Sequence, residues 1–163
     1  MYTVHIMHEV ITRSPEETQK YAERIVQALA QIKGTRGTST IVALQGNLGA
    51  GKTVFVKGVA QALGIIETIT SPTFVIEKKY TLPAQASWKN LIHIDAYRLE
   101  SEEELDSLDW SYIATDPNNL IMLEWPEQVG RGVPDRAVWI EFEVVDDSTR
   151  ILRIPANIKL SDK

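Results

Sequence analysis

Cysteine is absent from this 163-residue sequence. Its absence excludes disulfides and thiolate metal sites, and it fits a reducing compartment. No apolar run approaches the roughly 20 residues that a membrane-spanning helix requires. The first ten residues, MYTVHIMHEV, also lack the basic start and the apolar stretch of a signal peptide. We therefore expect a cytoplasmic protein with no membrane segment.

Positive charge is scarce in this chain. The formal net charge is −5, and no basic cluster extends beyond Lys78 and Lys79. High-affinity binding to nucleic acid requires several clustered cations that neutralise phosphates. We therefore do not expect the chain to bind nucleic acid on its own, although it could reach nucleic acid through a partner.

The composition is that of an ordinary globular protein. Hydrophobic residues make up 44% of the chain and charged residues 24%, which argues against disorder. The length suits one domain with a sizeable core. No repeat, low-complexity segment or linker interrupts the sequence, so we predict a single domain over residues 1–163.

Two helices are predicted in the first half of the chain. The first covers residues 14–32: Ser14 can cap it, Pro15 suits its first position, and Glu17 completes a capping box. The second is predicted over residues 52–63. Both helices follow segments that read as strands, which is typical of α/β proteins.

The predicted strands are of two kinds. Runs at 40–45 and 119–123 are continuously apolar, as in the centre of a parallel sheet, whereas the last two strands read as an antiparallel pair. This mixture predicts an α/β sandwich with a parallel centre and antiparallel additions. Ser101 with Glu104 offers a further capping box. The predicted strands cover residues 2–12, 40–45, 73–82, 90–95, 119–123, 137–145 and 150–154.

The stretch LQGNLGAGKTVF, residues 44–55, places three glycines directly before a predicted helix. Gly46, Gly51, Lys52 and Thr53 satisfy G-x-x-x-x-G-K-[ST], the P-loop pattern, in its strand–loop–helix context. In such a loop backbone N–H groups point at phosphate oxygens, the lysine reaches the β- and γ-phosphates, and the hydroxyl holds Mg²⁺. The predicted nucleotide-binding residues are Gly46, Asn47, Leu48, Gly49, Ala50, Gly51, Lys52 and Thr53.

Two carboxylates close apolar strands after the P-loop. LIHID ends at Asp95 and LIMLE ends at Glu124. A P-loop needs an acid for its Mg²⁺, normally at the end of a neighbouring strand. We therefore expect at least one of the two to meet the metal, while the other could orient the attacking water. Spacing alone leaves these two roles interchangeable.

Several polar residues lie between the P-loop and the second acid. Thr70, Ser71 and Thr73 surround a proline-fixed bend, where a loop could sense the γ-phosphate. Composition slightly favours an ordinary Ser-Pro turn there. His93 shares a strand face with Asp95, but a lone histidine is more often structural than catalytic.

Other candidates carry less information. Arg98 and Arg131 could neutralise transition-state charge, although surface arginines are common, and Trp125 directly follows Glu124. The sequence has no [NT]-K-x-D guanine-reading segment and nothing like the protein-kinase catalytic loop. By elimination, the predicted ligands are ATP and Mg²⁺.

The motifs GNLGAGKTVFVKGVAQALGI, SPTFVIEKKY, HIDAYRL and MLEWPE follow one another between residues 46 and 127, inside a similarity that extends over roughly residues 14–135. In order and spacing they resemble the TsaE (YjeE) family, small P-loop ATPases of the bacterial apparatus that makes N6-threonylcarbamoyladenosine on tRNA. The resemblance implies a P-loop NTPase fold, a three-layer sandwich with a mixed, centrally parallel sheet. It also implies that residues 1–163 are a single P-loop ATPase domain.

The resemblance further implies roles for individual residues. Thr53 and Glu124 hold Mg²⁺, Asp95 lies by the γ-phosphate as the water-orienting group, and residues 70–74 form a switch. Lys52 and Asp95 are thus the implied catalytic residues. Adenine contacts are expected near the capped first helix.

The resemblance also implies partners. They are a TsaD-type catalytic subunit and a TsaB-type companion, and ATP hydrolysis resets their complex between modification cycles. Transfer of the threonylcarbamoyl group belongs to the partner, and tRNA is reached through the complex.

Catalysis in P-loop enzymes depends mostly on positioning and charge stabilisation. Our hypothesis is therefore that the isolated chain binds ATP well and hydrolyses it slowly, because partners complete or order the site. Two alternatives remain open. One is a small-molecule kinase with Arg131 and Arg136 in a closing lid, and the other is a non-catalytic module whose partner affinity depends on bound nucleotide.

Overall fold

The computed structural model describes residues 7–33 and 37–160. The strands are β1 (Met7–Thr12), β2 (Thr40–Gly46), β3 (Glu77–Thr81), β4 (Asn90–Asp95), β5 (Asn119–Glu124), β6 (Val138–Val144) and β7 (Arg150–Pro155). The α-helices are α1 (Pro15–Ile32), α2 (Lys52–Ala62), α3 (Glu103–Asp106) and α4 (Trp110–Thr115). None of the helices in the described residues is both long and apolar enough to cross a lipid bilayer.

The strands form one seven-stranded sheet in the order β1-β7-β6-β2-β5-β4-β3. Its centre, β6-β2-β5-β4, is parallel throughout. The remaining pairs, β1 with β7, β6 with β7 and β3 with β4, are antiparallel. The predicted fold class, an α/β sandwich with a mixed and centrally parallel sheet, is confirmed.

Alternation along β2 separates two cores. Val42 and Leu44 belong to a buried cluster that includes α1 and α2, whereas Ile41 and Ala43 belong to a second cluster that includes α3 and α4. Successive side chains of a strand point to opposite faces of the sheet. Helices therefore cover both faces, and the molecule has three layers.

The first helix begins as its sequence predicts. Ser14 Oγ accepts a hydrogen bond from Glu17 N at 3.2 Å, and Pro15 is the first helical residue. The Glu17 carboxylate reaches back to the amide of Arg13 at 2.7 Å. Two of the N–H groups at this end are thereby satisfied, which stabilises the helix start next to the edge of the sheet.

Two expectations about local structure need correction. The strand predicted over 73–82 begins only at Glu77, because residues 71–76 fold into a turn beside Asp95. The second capping box does not form around Ser101: the Glu104 carboxylate accepts from the amide of Glu100 at 2.9 Å, and the short α3 begins without a side-chain cap. Strand residues 7–12 were predicted correctly, while residues 2–6 lie outside the described residues.

Candidate functional site

The predicted site residues meet where the parallel strands end. Strand β5 lies between β2 and β4, and its last residue, Glu124, is paired with Leu44 on one side and Asp95 on the other. The loop between β2 and α2 rises next to these carboxylates. Together they line a cleft of about 470 Å³ at the carboxyl edge of the sheet, the usual location of ligand sites in parallel α/β folds.

The loop 46–53 has the backbone of an anion-binding turn. Gly49 and Gly51 have φ values of 77° and 100°, a region that side chains with a Cβ rarely adopt. Helix α2 starts immediately after Gly51, without a side-chain cap and with no acidic residue in its first turn. Its first N–H groups and the positive end of its dipole are therefore directed toward the cleft.

Gly46 is required for packing. A Cβ at this position would lie 2.7 Å from the carbonyl oxygen of Phe142 on β6. The loop therefore leaves the sheet in direct backbone contact with the neighbouring strand. This close approach fixes the position of the loop relative to β6 at the edge of the sheet.

The Lys52 side chain is held inside the loop that carries it. Its Nζ donates to the carbonyl oxygens of Gly46 and, at 3.0 Å, of Asn47. The ring of Trp125 covers the ammonium at 4.0 Å. Burial lowers the pKa of Lys52, and the negative charges of Glu124, Glu127 and Asp95 oppose that shift. The ammonium is thus partly desolvated at the floor of the cleft.

Thr53 and Glu124 form the second part of the site. Thr53 Oγ1 donates to Glu124 at 3.0 Å from Oε1 and 3.3 Å from Oε2. His93 Nε2 lies 2.7 Å from Glu124 Oε1. The threonine hydroxyl and the carboxylate are therefore adjacent, as predicted for a pair that holds Mg²⁺, and a buried histidine supports the pair from below.

Asp95 binds the segment that precedes β3. Its Oδ2 accepts hydrogen bonds from Ser71 Oγ at 3.1 Å and Thr73 Oγ1 at 2.7 Å. Its Oδ1 accepts from the amide of Tyr97 at 3.0 Å. Two of the three predicted switch hydroxyls, those of Ser71 and Thr73, thus bind the predicted water-orienting acid. Thr70 is exposed and does not line the cleft.

The turn after Thr73 presents apolar side chains to solvent. Phe74 and Val75 are 84% and 66% exposed, and Ile76 has a φ of 65°, which is unusual for a β-branched residue. Arg98 stacks on Phe74, with its guanidinium carbon 4.7 Å from the ring centroid. Arg98 therefore packs on this turn and is not among the residues lining the cleft.

The two other candidate arginines lie away from the cleft. Arg136 donates to the carbonyl oxygen of Ala114 at the end of α4, at 2.6 Å. Arg131 borders a separate groove together with Glu102 and Glu103. Neither belongs to the described residues that line the cleft.

The structure adds two contacts that the sequence did not reveal. Arg150 on β7 donates to the carbonyl oxygen of Gly49 at 3.1 Å, a contact to backbone that leaves no pattern in a sequence. The ring of Tyr97 packs 5.0 Å from that of Trp125. Its position two residues after Asp95 was the available signal, because strand ends of this kind line the cleft.

The residues present fit a magnesium–nucleotide ligand. Thr53 and Glu124 offer the hard oxygen donors that Mg²⁺ prefers, and Mg²⁺ commonly uses one or two protein oxygens together with substrate phosphates and waters. Within the described residues, no group of three histidine, aspartate or glutamate side chains could hold a metal without such help. The glycine loop beside this pair supplies the complementary site for phosphates.

Comparison with known proteins identifies relatives of this chain. Residues 12–152 match the family model of the threonylcarbamoyl adenosine biosynthesis protein TsaE. The chain is similar to the tRNA threonylcarbamoyladenosine biosynthesis protein TsaE of Aquifex aeolicus, with 35% identity over 93% of this chain and 98% of the relative. The protein of the same name from Treponema pallidum is 33% identical over 88% of this chain and 97% of the relative.

A solved structure supports the same relationship. The crystal structure of Bacillus subtilis YdiB superposes with a TM-score of 0.64 and 25% identity, and the match covers 94% of this chain and 90% of that one. The agreement extends over nearly the whole length of both chains.

Proposed function

We propose that this chain, which belongs to the TsaE family, binds ATP with Mg²⁺ and hydrolyses it to ADP and phosphate in support of threonylcarbamoyladenosine modification of tRNA. The curated relatives carry the name of that modification. The observation that carries the chemical part is the 3.0 Å contact between Thr53 and Glu124 next to a P-loop. That contact joins a metal-binding hydroxyl to a strand-end acid, as phosphoryl-transfer sites of this class require.

The loop 46–53 binds the phosphates in this proposal. Its backbone N–H groups and the start of α2 would bind the β-phosphate, and Lys52 would exchange the carbonyls of Gly46 and Asn47 for the β- and γ-phosphate oxygens. The ammonium exchanges two neutral acceptors for charged ones, and hydrogen bonds between two charged groups are the stronger kind. Trp125 limits the positions that the Lys52 side chain can take.

Magnesium dependence follows from the charges in the cleft. The described lining includes the carboxylates of Asp95 and Glu124 and the single ammonium of Lys52. A polyanionic nucleotide entering this lining meets more negative than positive charge. Thr53 and Glu124 would hold Mg²⁺, which supplies the compensating charge on the phosphate oxygens. We therefore expect nucleotide affinity to fall when Mg²⁺ is chelated.

Asp95 is the proposed water-orienting residue. Its Oδ2 is occupied by the hydroxyls of Ser71 and Thr73, so this oxygen can accept from a water only after the 70–76 segment moves. In this proposal Oδ2 is the oxygen that orients the water, so an isolated chain is expected to turn over slowly. Partners that reorganise this segment, a TsaD-type catalytic subunit and a TsaB-type companion, would raise the rate, and tRNA would enter through that complex.

The adenine base has a candidate location beside the first helix. The lining of a small cavity of about 110 Å³ includes Gly49, Gly51, Ser14, Pro15 and Arg150. It lies next to the capped start of α1, where the family resemblance predicts adenine contacts. Arg150, held by the Gly49 carbonyl, would close the side of this cavity nearest the phosphates.

The proposal is tested by following the γ-phosphate of labelled ATP. The protein is incubated with Mg²⁺ alone, and then with the two partner proteins and tRNA. Slow release of inorganic phosphate that accelerates in the complete mixture is the expected result. Rapid turnover without partners would contradict the need for an ordered switch.

The same experiment separates the alternatives. Label on a small molecule would identify a kinase, an alternative that gains no support from Arg131 and Arg136, because neither lines the cleft. Nucleotide binding with no phosphate release under any condition, together with partner function that survives Asp95→Ala, would identify a non-catalytic module.

A further inference from the structure

A buried histidine supports the carboxylate of Glu124. His93 Nε2 lies 2.7 Å from Glu124 Oε1, and the two side chains are 0% and 4% exposed. The same oxygen accepts from Thr53 Oγ1 at 3.0 Å, whereas within residues 7–33 and 37–160 Oε2 has only the longer Thr53 contact of 3.3 Å. Oε1 is therefore fixed by two donors, whereas Oε2 remains able to bind a further group.

The sheet places His93 behind the carboxylate. Strands β4 and β5 are parallel, with Asp95 paired to Glu124 and His93 paired to Met122. His93 and Asp95 point to the same face of β4, so the imidazole lies one pleat deeper than the Asp95 carboxylate, toward the interior. It reaches Glu124 from the side opposite the solvent, while Thr53 reaches it from helix α2.

The hydrogen-bonding pattern assigns the proton on the ring. A carboxylate can only accept, so Nε2 must donate to Glu124. His93 Nδ1 is buried and has no hydrogen-bond partner among the described residues. The hydrogen bond to Glu124 therefore requires a proton on Nε2, independently of Nδ1.

We propose that His93 is a positioning residue for Glu124: its Nε2–H fixes Oε1, and Oε2 and the Thr53 oxygen would then hold Mg²⁺. This inference rests on the proposed function of the site. A hydrogen-bond partner that orients a metal ligand without touching the metal commonly contributes 10- to 100-fold in metal affinity. A histidine that merely filled the core would contribute to folding stability and leave metal affinity unchanged.

Two amide variants separate these roles. Gln places its amide nitrogen near the position of Nε2, whereas Asn places it near Nδ1, so only His93→Gln retains a donor facing Glu124. Both variants bury an amide of similar polarity. His93→Leu removes the donor altogether. Asn119→Ala is the matched control, because Asn119 is a buried polar residue on the opposite end of β5, bonded to Asn90 and to the Ile113 carbonyl.

The readout is the coupling between ADP and Mg²⁺, which requires no turnover. The dissociation constant of ADP is measured by calorimetry in EDTA and at saturating Mg²⁺. The value in EDTA divided by the value in Mg²⁺ is then compared between the variants and wild type. We expect this ratio to fall about tenfold or more in His93→Asn and His93→Leu. It should stay near the wild-type ratio in His93→Gln and Asn119→Ala, and ADP affinity in EDTA should be the same in all variants.

A measurement on the wild-type chain accompanies the variants, so the test does not depend on their folding. A long-range ¹H–¹⁵N spectrum should show a proton on His93 Nε2 that is protected from exchange. An Nε2 without a proton would overturn the inference. The inference would also be overturned by equal ratios for His93→Asn, His93→Gln and wild type in a chain whose ADP binding is coupled to Mg²⁺. A wild-type chain without Mg²⁺-coupled ADP binding would overturn the proposed function itself, and this inference with it.

Discussion

Two carboxylate networks in this molecule have similar distances and different surroundings. In the cleft, Glu124 contacts His93 at 2.7 Å and Thr53 at 3.0 Å. On the antiparallel flank, Arg153 of β7 contacts Glu9 at 2.9 Å and Glu143 at 2.6 Å.

Exposure is what distinguishes the two networks. The His93 and Glu124 side chains are 0% and 4% exposed, whereas those of Arg153, Glu9 and Glu143 are 31%, 59% and 50% exposed. Water solvates and screens the flank network, and exposed ion pairs of this kind contribute little to stability. Buried groups have no such substitute for their partners. Distances alone therefore do not indicate which network the protein depends on.

The largest expected effect is that of Lys52→Ala, which removes the only ammonium that lines the cleft within the described residues. Loss of a preorganised charge that stabilises a transition state costs about 10³-fold in rate. ATP turnover in the partner-activated assay should fall by about this factor. Lys57→Ala, on the same helix, is the control and should remain near wild type. A turnover within tenfold of wild type for Lys52→Ala would remove this lysine from the catalytic site.

The next effect is that of Asp95→Asn, which tests the second buried carboxylate. The amide nitrogen cannot accept from Ser71 and Thr73, and the residue can no longer act as a water-orienting base. We expect turnover to fall about 10²-fold or more, while ADP affinity stays within a few fold. Amide hydrogen exchange in residues 70–76 should become faster. Unchanged exchange there would show that Asp95 does not hold the segment.

Gly46→Ala tests the contact between the cleft and the antiparallel flank, because the added Cβ would lie 2.7 Å from the Phe142 carbonyl on β6. Overpacking against backbone costs about 1–3 kcal/mol of folding free energy. Urea unfolding should show this loss, and ADP binding should weaken because the loop is displaced. Asn47→Ala, at the neighbouring exposed position, should change stability by less than about 0.5 kcal/mol. Equal stabilities for the two variants would contradict the close approach described here.

The smallest effect is expected on the flank. Arg153→Ala breaks both ion pairs, yet exposed pairs of this kind contribute little to stability. Unfolding at low and high salt should give a difference from wild type that shrinks as salt screens the charges. A loss of unfolding free energy as large as that of Gly46→Ala, and independent of salt, would show that exposure does not weaken these ion pairs.

The sequence predicted what depends on local pattern. The P-loop, the strand-end acids Asp95 and Glu124 and the capped start of α1 are each specified by residues close together in the chain. Their meeting at one edge followed from the expectation of a parallel sheet. Which acid lies against Thr53 did not follow from spacing, because that depends on the neighbours of β5 in the sheet.

Contacts between distant segments explain the remaining errors. His93 was placed on the same face as Asp95, but its partner lies 31 residues away on the next strand. Residues 73–76 have strand-like composition, yet Thr73 bonds to Asp95 and Ile76 takes a positive φ, so the strand starts later. Tertiary hydrogen bonds here override local propensity.

Trp125 gives the molecule an optical property that its stacking on Lys52 makes useful. The ammonium lies 4.0 Å from the indole ring, and indole emission responds to charge and polarity beside the ring. A ligand that draws the Lys52 side chain toward its phosphates removes that charge and should change the emission of this one chromophore. Trp88, Trp110 and Trp139 do not line the cleft, so their emission is a constant background. Trp125 fluorescence therefore reports the position of the Lys52 side chain.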